Sequence, residues 1–462
     1  MSSSIPGTQP EAPPLGARAQ RPLLALVVRL HLCVGLFVGP FILLAALSGL
    51  VYALTPQLEN RLYAEQLFTH SEGQPLPLAR QVETAQRHVG SAATLAAVRP
   101  APRPGTTTRV MFNAPGLTAS QSHAVFIDPV TAEIRGDLPV YGTTGVLPLR
   151  TWLDQLHRSL LLGEPGRLYS ELAASWLWVA ALGGLVLWTI RRRAGRSAST
   201  QALRRWHATL GVWLLVGLLF FSATGLTWSR WAGGNIGVAR AAFGMSTPSV
   251  STVLAGEATA PAAEHAHHHG MPMASGEAVA PALFDAVLAV ARRSGIDAAK
   301  LEIVPAAGPD RAWTVTEIDR SWPTQVDAVA VDPRTLAVTD RIDFATFPLA
   351  AKLTRWGIDA HMGSLFGLAN QLLLAVTALG LATLVIWGYL MAWRRRSSVR
   401  GTGLLQAFRG LSPATRLTTV AVAALFGYCL PVLGGSLLLF LFAEWAVAGW
   451  RRTDHTRRRQ AG

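Results

Sequence analysis

Four histidines stand at the margins of long apolar runs, and they recur at matched spacings. In "VRLHLCVGLFVG", His31 is followed by Gly35 four residues on and by Gly49 eighteen on; in "RRWHATLGVWLL", His207 is followed by Gly211 and Gly225 at the same two distances. Ser48-Gly49-Leu50 thereby aligns with Thr224-Gly225-Leu226. A second kind of element places Gly163 six residues after His157 in "LHRSLLLG" and Gly367 six residues after His361 in "AHMGSLFG". An imidazole in or near lipid is costly without a partner, so an ionisable group there is a functional-site hypothesis by default. Two imidazoles on facing helices can supply both axial nitrogens of a haem iron, with the porphyrin wedged in the bundle core. Gly35 and Gly211 lie one turn from His31 and His207 on the same helical face, leaving room for a flat macrocycle. One histidine at a helix end is ordinarily an interfacial anchor, whereas four in duplicated pairs favour haem ligation. Zinc or copper is the weaker reading, because no carboxylate lies within a turn of His31 or His207.

The elements that must position these rings are membrane helices. Of the 462 residues, 50% are hydrophobic and 15% charged, and the mean hydropathy is +0.31, outside the usual soluble range. Apolar runs at about 23–54, 172–190, 206–228 and 365–393 approach the ~20 residues needed to cross a bilayer. The first is longer than a signal-peptide core of ~7–15 residues and reads as a retained helix. A further run fills 417–450, interrupted by Pro431, Gly434 and Gly435, and reads as a tight hairpin. The net charge of +14 comes largely from arginines in short loops, such as Arg191, Arg192 and Arg193. That is the positive-inside pattern, so the charge reports topology and not nucleic-acid binding. Cys33 and Cys429 both lie in apolar runs and define no disulfide or zinc framework. No GxGxxG after a strand, P-loop or HExxH is present, which argues against a nucleotide site or hydrolysis.

The chain divides into a disordered cytoplasmic tail (1–20), a first span (21–54), an outward module (55–150), a membrane-edge histidine segment with a second span (151–190), a basic loop (191–205) and a third span (206–228). There follow a low-complexity insertion (229–280), a second outward module (281–350), a histidine segment with a fourth span (351–393), a basic loop (394–416), the hairpin (417–450) and a basic tail (451–462). Each module has a helical stretch, Leu78–Val89 or "PALFDAVLAVARRSG", and then paired strands around an Asp-Pro turn, "VFIDPVTAEI" or "VAVDPRTLAV". The expected fold is an internally duplicated α-helical integral membrane bundle, four core transmembrane helices plus the hairpin, with two α/β modules outside. His70, His88 and His123 lie singly in the first module and read as solvated or packed. Trp176, Trp178, Trp228, Trp231 and Trp356 read as interfacial belt residues. Glu444 is the one clear acid inside a span, and the sequence suggests no mechanism for it.

Opposite axial ligands must share one depth. His31 and His207 open helices that enter from the cytoplasmic side, and His157 and His361 precede helices that enter from outside. The pairing is therefore His31 with His207 and His157 with His361. Two such haems would carry electrons across the bilayer.

His207 follows His31 by 176 residues and His361 follows His157 by 204, so the second half is longer by 28. The surplus matches an insertion around Ser246–Met273. Within it His265, His267, His268, His269, Met271 and Met273 combine imidazole and thioether donors suited to copper or iron. The alternative there is a disordered loop that scavenges metal weakly.

The histidine and glycine elements and the Asp-Pro hairpins resemble the PepSY-associated transmembrane helix family of iron-regulated and iron-uptake membrane proteins, over roughly residues 20–395. The resemblance implies a bacterial inner-membrane protein with both termini cytoplasmic and PepSY-like modules in the periplasm. It also implies a likeness to di-haem ferric-siderophore reductases, with two b-type haems held by His31, His157, His207 and His361. The partners so implied are the lipid bilayer, a ferric siderophore or periplasmic metal ion, and an electron donor such as quinol or a redox protein. The competing function is a non-enzymatic metal-binding or transport-accessory membrane protein.

Overall fold

The computed structural model describes residues 15–118, 120–142, 144–193, 202–254, 279–394 and 403–460. Its first helix, α1 (Leu15–Cys33), passes through a π-helical turn (Val34–Val38) into α2 (Gly39–Ala53), followed by the short α3 (Thr55–Leu62) and α4 (Ala64–Leu67). Next come α5 (Leu78–Val89), β1 (Thr94–Arg99), β2 (Thr108–Asn113), β3 (Gln121–Ile127), β4 (Ile134–Tyr141), α6 (Pro148–Ser159) and the long α7 (Gly163–Arg193). The second half repeats this series as α8 (Ala202–Trp213), α9 (Leu215–Thr227), α10 (Trp231–Ala242), α11 (Ala282–Arg293), β5 (Leu301–Val304), β6 (Trp313–Glu317), β7 (Ala328–Val331), β8 (Val338–Ile342), α12 (Leu349–His361) and α13 (Gly367–Arg394). The chain ends with α14 (Leu404–Arg409), α15 (Pro413–Cys429) and α16 (Pro431–Gln460).

Two compact units result, one of Met1–Leu44, Leu168–Ala232 and Gly380–Gly462, the other of Ala45–Arg167 and Gly233–Leu379. Three helices are long and apolar enough to cross a membrane, Pro22–Ala53, Gly163–Arg193 and Gly367–Arg394. The expected straight span at 206–228 is instead two helices bent by 60°, with Leu214 at the break. Leu214 is the repeat equivalent of Val38, the last residue of the π turn, so both halves are irregular just past the histidine. In the first half the cause is visible. Pro40 has no N–H to offer the Leu36 carbonyl, and the Tyr389 hydroxyl donates to that carbonyl instead at 2.5 Å. In the second half, the Leu214 side chain occupies the space that a Cβ on Gly380 would need, at 2.4 Å. The C-terminal run does fold as two helices parted at Leu430. Gly427 and Gly434 pack so closely that a Cβ on Gly434 would lie 2.8 Å from the Gly427 Cα.

The two α/β modules are one sheet. Its order is β4-β3-β2-β1-β5-β6-β7-β8, antiparallel throughout, and the halves join through Val98 opposite Ile303. Pairing β1 with β5 closes what would be an exposed edge on each module, leaving only β4 and β8 as edges. Alternation along the strands sends Val98, Val110, Val125, Ile303, Val315 and Val329 to one face under α5 and α11. Asp285 of α11 caps the neighbouring helix, accepting from the Leu78 and Ala79 amides at 2.8 and 2.9 Å. The Asp-Pro turns are hairpins of one design. Asp128 accepts from the Val130 amide and Asp332 from the Arg334 amide, each at 2.9 Å, and left-handed Ala132 and Leu336 occupy equivalent positions at φ 57° and 56°.

Candidate functional site

His31 and His207 meet in the first unit, with ring centroids 6.4 Å apart and planes at 85°. The Nδ1 of His31 lies 3.1 Å from the Ala180 carbonyl of α7. A carbonyl only accepts, so Nδ1 carries the proton and Nε2 keeps its lone pair. The main-chain neighbour of His207 is Leu384, which follows Ala180 by the same 204 residues that separate His157 and His361. The His207 Nδ1 is buried without a well-formed hydrogen bond. Gly183 and Gly184 let α7 approach His31, since a Cβ on Gly184 would stand 3.3 Å from His31 Cε1. Of the two glycines expected to leave room, Gly35 faces open space, whereas a Cβ at Gly211 would touch Leu384 at 3.9 Å.

His157 and His361 meet in the second unit, with centroids 6.3 Å apart and planes at 48°. Each sits at the end of a short helix just before a long one. After His157 the chain turns through Leu160 and Leu161, at φ 53° and 61°, and through Gly163 at 65°. Gly166 cannot be anything larger, because its Cβ would lie 1.9 Å from the Ser159 carbonyl oxygen. At the equivalent place in the second half, Asn370 donates to the Ala360 carbonyl at 2.9 Å. Ser48 Oγ donates to the Ala45 carbonyl at 3.2 Å and accepts from His157 Nδ1 at 3.0 Å, so here too Nδ1 carries the ring proton. Gly49 gives the ring its seat, for a Cβ there would meet His157 Cε1 at 3.1 Å. Gly225, its counterpart in sequence, instead packs α9 on α7, facing the Ala174 Cβ at 3.1 Å. Burial holds both imidazoles of this pair below the ordinary histidine range, His361 at about 3 with His157 adding to the effect. They are therefore neutral, the form that binds a metal.

Each of the four histidine residues is half-buried. Among the described residues no group of three or more His, Cys, Asp and Glu could hold a metal ion. Each histidine pair thus offers two donors and no third.

The model of the PepSY-associated TM region matches residues 28–396, from before His31 to just past α13. The chain belongs to the PepSY-associated transmembrane family. Compared with curated proteins, it finds no match. All four histidines and the sheet fall inside the family's region, while α14, α15 and α16 fall outside it.

Other residues that the sequence singled out have different fates in this family member. His265, His267, His268, His269, Met271 and Met273 lie outside the described residues. His88 and His123, single in sequence, converge on Asp137 Oδ2 at 3.0 and 3.3 Å. Trp176 is not a belt residue: it is buried and donates its indole N–H to Ser436 Oγ at 2.9 Å. Glu444 gains a structural role, accepting from the Leu405 amide at 3.1 Å in the first turn of α14.

Among the buried acids the sequence did not mark are Glu171 and Asp359. Glu171 caps α10 through the Trp231 and Ala232 amides at 3.0 and 2.9 Å. Asp359 lies between Arg355 and Arg320 at 3.0 and 3.6 Å. The position of Asp359 two residues before His361 was the available signal.

Proposed function

We propose that this protein is an inner-membrane di-haem electron-transfer protein that reduces a ferric chelate or metal ion on the periplasmic side. The observation that carries this reading is the ring spacing of the two pairs. Metal–imidazole bonds of about 2 Å, added to the depth of each ring, set two centroids facing one ion about 6 Å apart. The pairs stand at 6.4 and 6.3 Å. Two unrelated rings in edge contact reach a similar spacing, but the Nδ1 hydrogens of His31 and His157 are spent on Ala180 and Ser48. That leaves Nε2 as a lone-pair donor on each. Two donors without a third suit haem, whose porphyrin supplies the other four nitrogens.

Haem, when bound, supplies one-electron chemistry at a potential set by its ligands and surroundings. This chain's part is to hold the rings at fixed tautomer, keep water from the first pair through apolar helices, and bring a polar substrate to the second. Each ferric ion reduced needs one electron from a donor on the opposite face, of the quinol or redox-protein class. The arginine-bearing loops favour a topology with both termini and the first pair on the cytoplasmic side and the sheet in the periplasm. The hairpin of α15 and α16 brings the total to roughly six crossings.

The test is colour. Protein purified from haem-replete cells should show a dithionite-reducible b-type spectrum with two haems per chain. His31→Ala or His207→Ala should remove one, and His157→Ala or His361→Ala the other. A colourless wild-type protein would overturn the reading in favour of an accessory role, and loss of both haems in every folded variant would overturn the pairing.

A further inference from the structure

The face of the sheet away from α5 and α11 carries charged side chains beside a second apolar cluster that includes Ala97, Met111 and Phe126. Arg109 points to this face, over the Phe126 ring at 5.3 Å. Arg150 on α6 and Glu59 on α3 lie beside it as an ion pair at 3.3 Å. Arg320, on the β6–β7 connection, and Arg355, on α12, share the single carboxylate of Asp359. Arg320 also contacts the Met362 sulfur at 3.5 Å, next in sequence to His361.

The charges do not balance. Arg150 is matched by Glu59, while Arg320 and Arg355 have one carboxylate between them. Arg109 makes no ion pair among the described residues and donates to the Gly145 carbonyl at 3.3 Å. Arg99, beside both Arg109 and Arg320, is matched by Glu302 at 2.6 Å, and Arg158, close to Arg150, is matched by Asp154 at 3.9 Å, so six guanidiniums against four carboxylates leave an excess of two positive charges. Burying unmatched charge costs several kcal/mol per ion in general, so such a group needs an anion. Burial first, and neighbouring guanidiniums second, push Arg109 and Arg320 down to about 10, so both stay cationic at neutral pH. The group is reachable, since the side chains of Arg150, Arg320 and Arg355 keep 20%, 21% and 29% of their surface accessible.

We infer that this arginine cluster beside His157 and His361 is a binding site for a small anionic metal chelate bearing at least two free carboxylates. Planar guanidinium forks match carboxylates in geometry and charge, and the excess of two cations matches a dianion. The inference rests on the proposed reduction of a ferric chelate and adds to it the class of chelate. Carboxylates could reach the arginines from two sources, the chelate or the porphyrin's own side chains, and the experiment separates them.

The full-length protein in nanodiscs is titrated calorimetrically with gallium(III) citrate, a redox-inert stand-in for a ferric carboxylate chelate, and with a cationic gallium hydroxamate complex. The expected result is binding of the citrate complex in preference to the hydroxamate. Arg320→Gln should weaken citrate binding about tenfold or more, as loss of a charge-assisted hydrogen bond implies. Asp359→Asn, which removes the competing carboxylate, should tighten it, an opposite sign that misfolding would not produce. Equal affinity for the two complexes, or no binding of either, overturns the inference. So does an Arg320→Gln variant that loses the second-pair haem absorbance, which would assign the cluster to the porphyrin carboxylates. A colourless wild type that still binds gallium citrate would overturn the proposed function and leave this site standing.

Discussion

Around His31 and His207 the neighbours are main-chain carbonyls, glycines and aliphatic side chains, with Ala180, Gly184 and Leu384 closest to the rings. Around His157 and His361 they are a hydroxyl, Ser48, and close by the ion pairs of Asp359 with Arg355 and Arg320. The repeat built one ring spacing twice and changed the surroundings. Excess positive charge near the second pair favours an added electron there. On the proposed reading, electrons run downhill from the first pair to the second. Potentiometric titration should therefore show two midpoint potentials, the higher one lost with His157→Ala; a higher potential at the His31 pair would break the comparison.

The largest structural effect is expected at Gly166. Its Cβ has no space beside the Ser159 carbonyl, so Gly166→Ala should cost about 3 kcal/mol and remove the second-pair haem band alone. Gly35→Ala, which meets open space, should leave both bands. A smaller contrast separates the aligned glycines. Gly49→Ala presses on the His157 ring and should shift the second-pair spectrum, at about 1–3 kcal/mol of stability. Gly225→Ala presses on Ala174 and should lower the melting temperature without a spectral change.

Smaller still are two hydrogen-bond deletions. Ser48→Ala removes one partner of His157 Nδ1 and Tyr389→Phe removes the donor to the Leu36 carbonyl, each at about 0.5–1.5 kcal/mol. Only the first should alter the redox spectrum.

The least effect is a pH slope. Burial, opposed by Arg150, holds the Glu59 carboxyl above its ordinary value. The folded state therefore keeps this proton where the unfolded chain has lost it. The stability it contributes is complete below the unfolded value near 4 and is lost as pH rises through the folded value. The melting temperature of Glu59→Gln should thus gain on that of the wild type as pH rises from about 4; a constant difference would count against the raised value.

Much of the site could be read from the chain because it is duplicated. The offsets of 176 and 204 residues mark equivalent histidines, which their shared depth pairs without any coordinates, and the Asp-Pro turns announce both hairpins through local backbone chemistry. What could not be read depends on contacts between distant segments. The arginine cluster draws on β2, α6, α12 and the β6–β7 connection, and no spacing rule links Arg109 to Arg320. The strand pairing that joins the modules runs through Val98 and Ile303, whose alternation would look the same in an edge strand. The bend at Leu214 lies in a run whose composition suits a straight helix, and only packing against Gly380 marks it. Gly49 was visible as a recurrence, but its service to His157 was not, because its counterpart Gly225 serves another purpose.

The β1–β5 join has a historical consequence. A chain of half this length would carry one ring of each histidine pair, one open strand edge at β1 and one helix to lay over it. None of the three would be complete in a single copy. A second copy, antiparallel at that strand, would complete the sheet's centre and both pairs together. Fusion of two such chains would have fixed the partnership covalently, and from then on each histidine of a pair could acquire its own neighbours, as Ser48 and Asp359 have become.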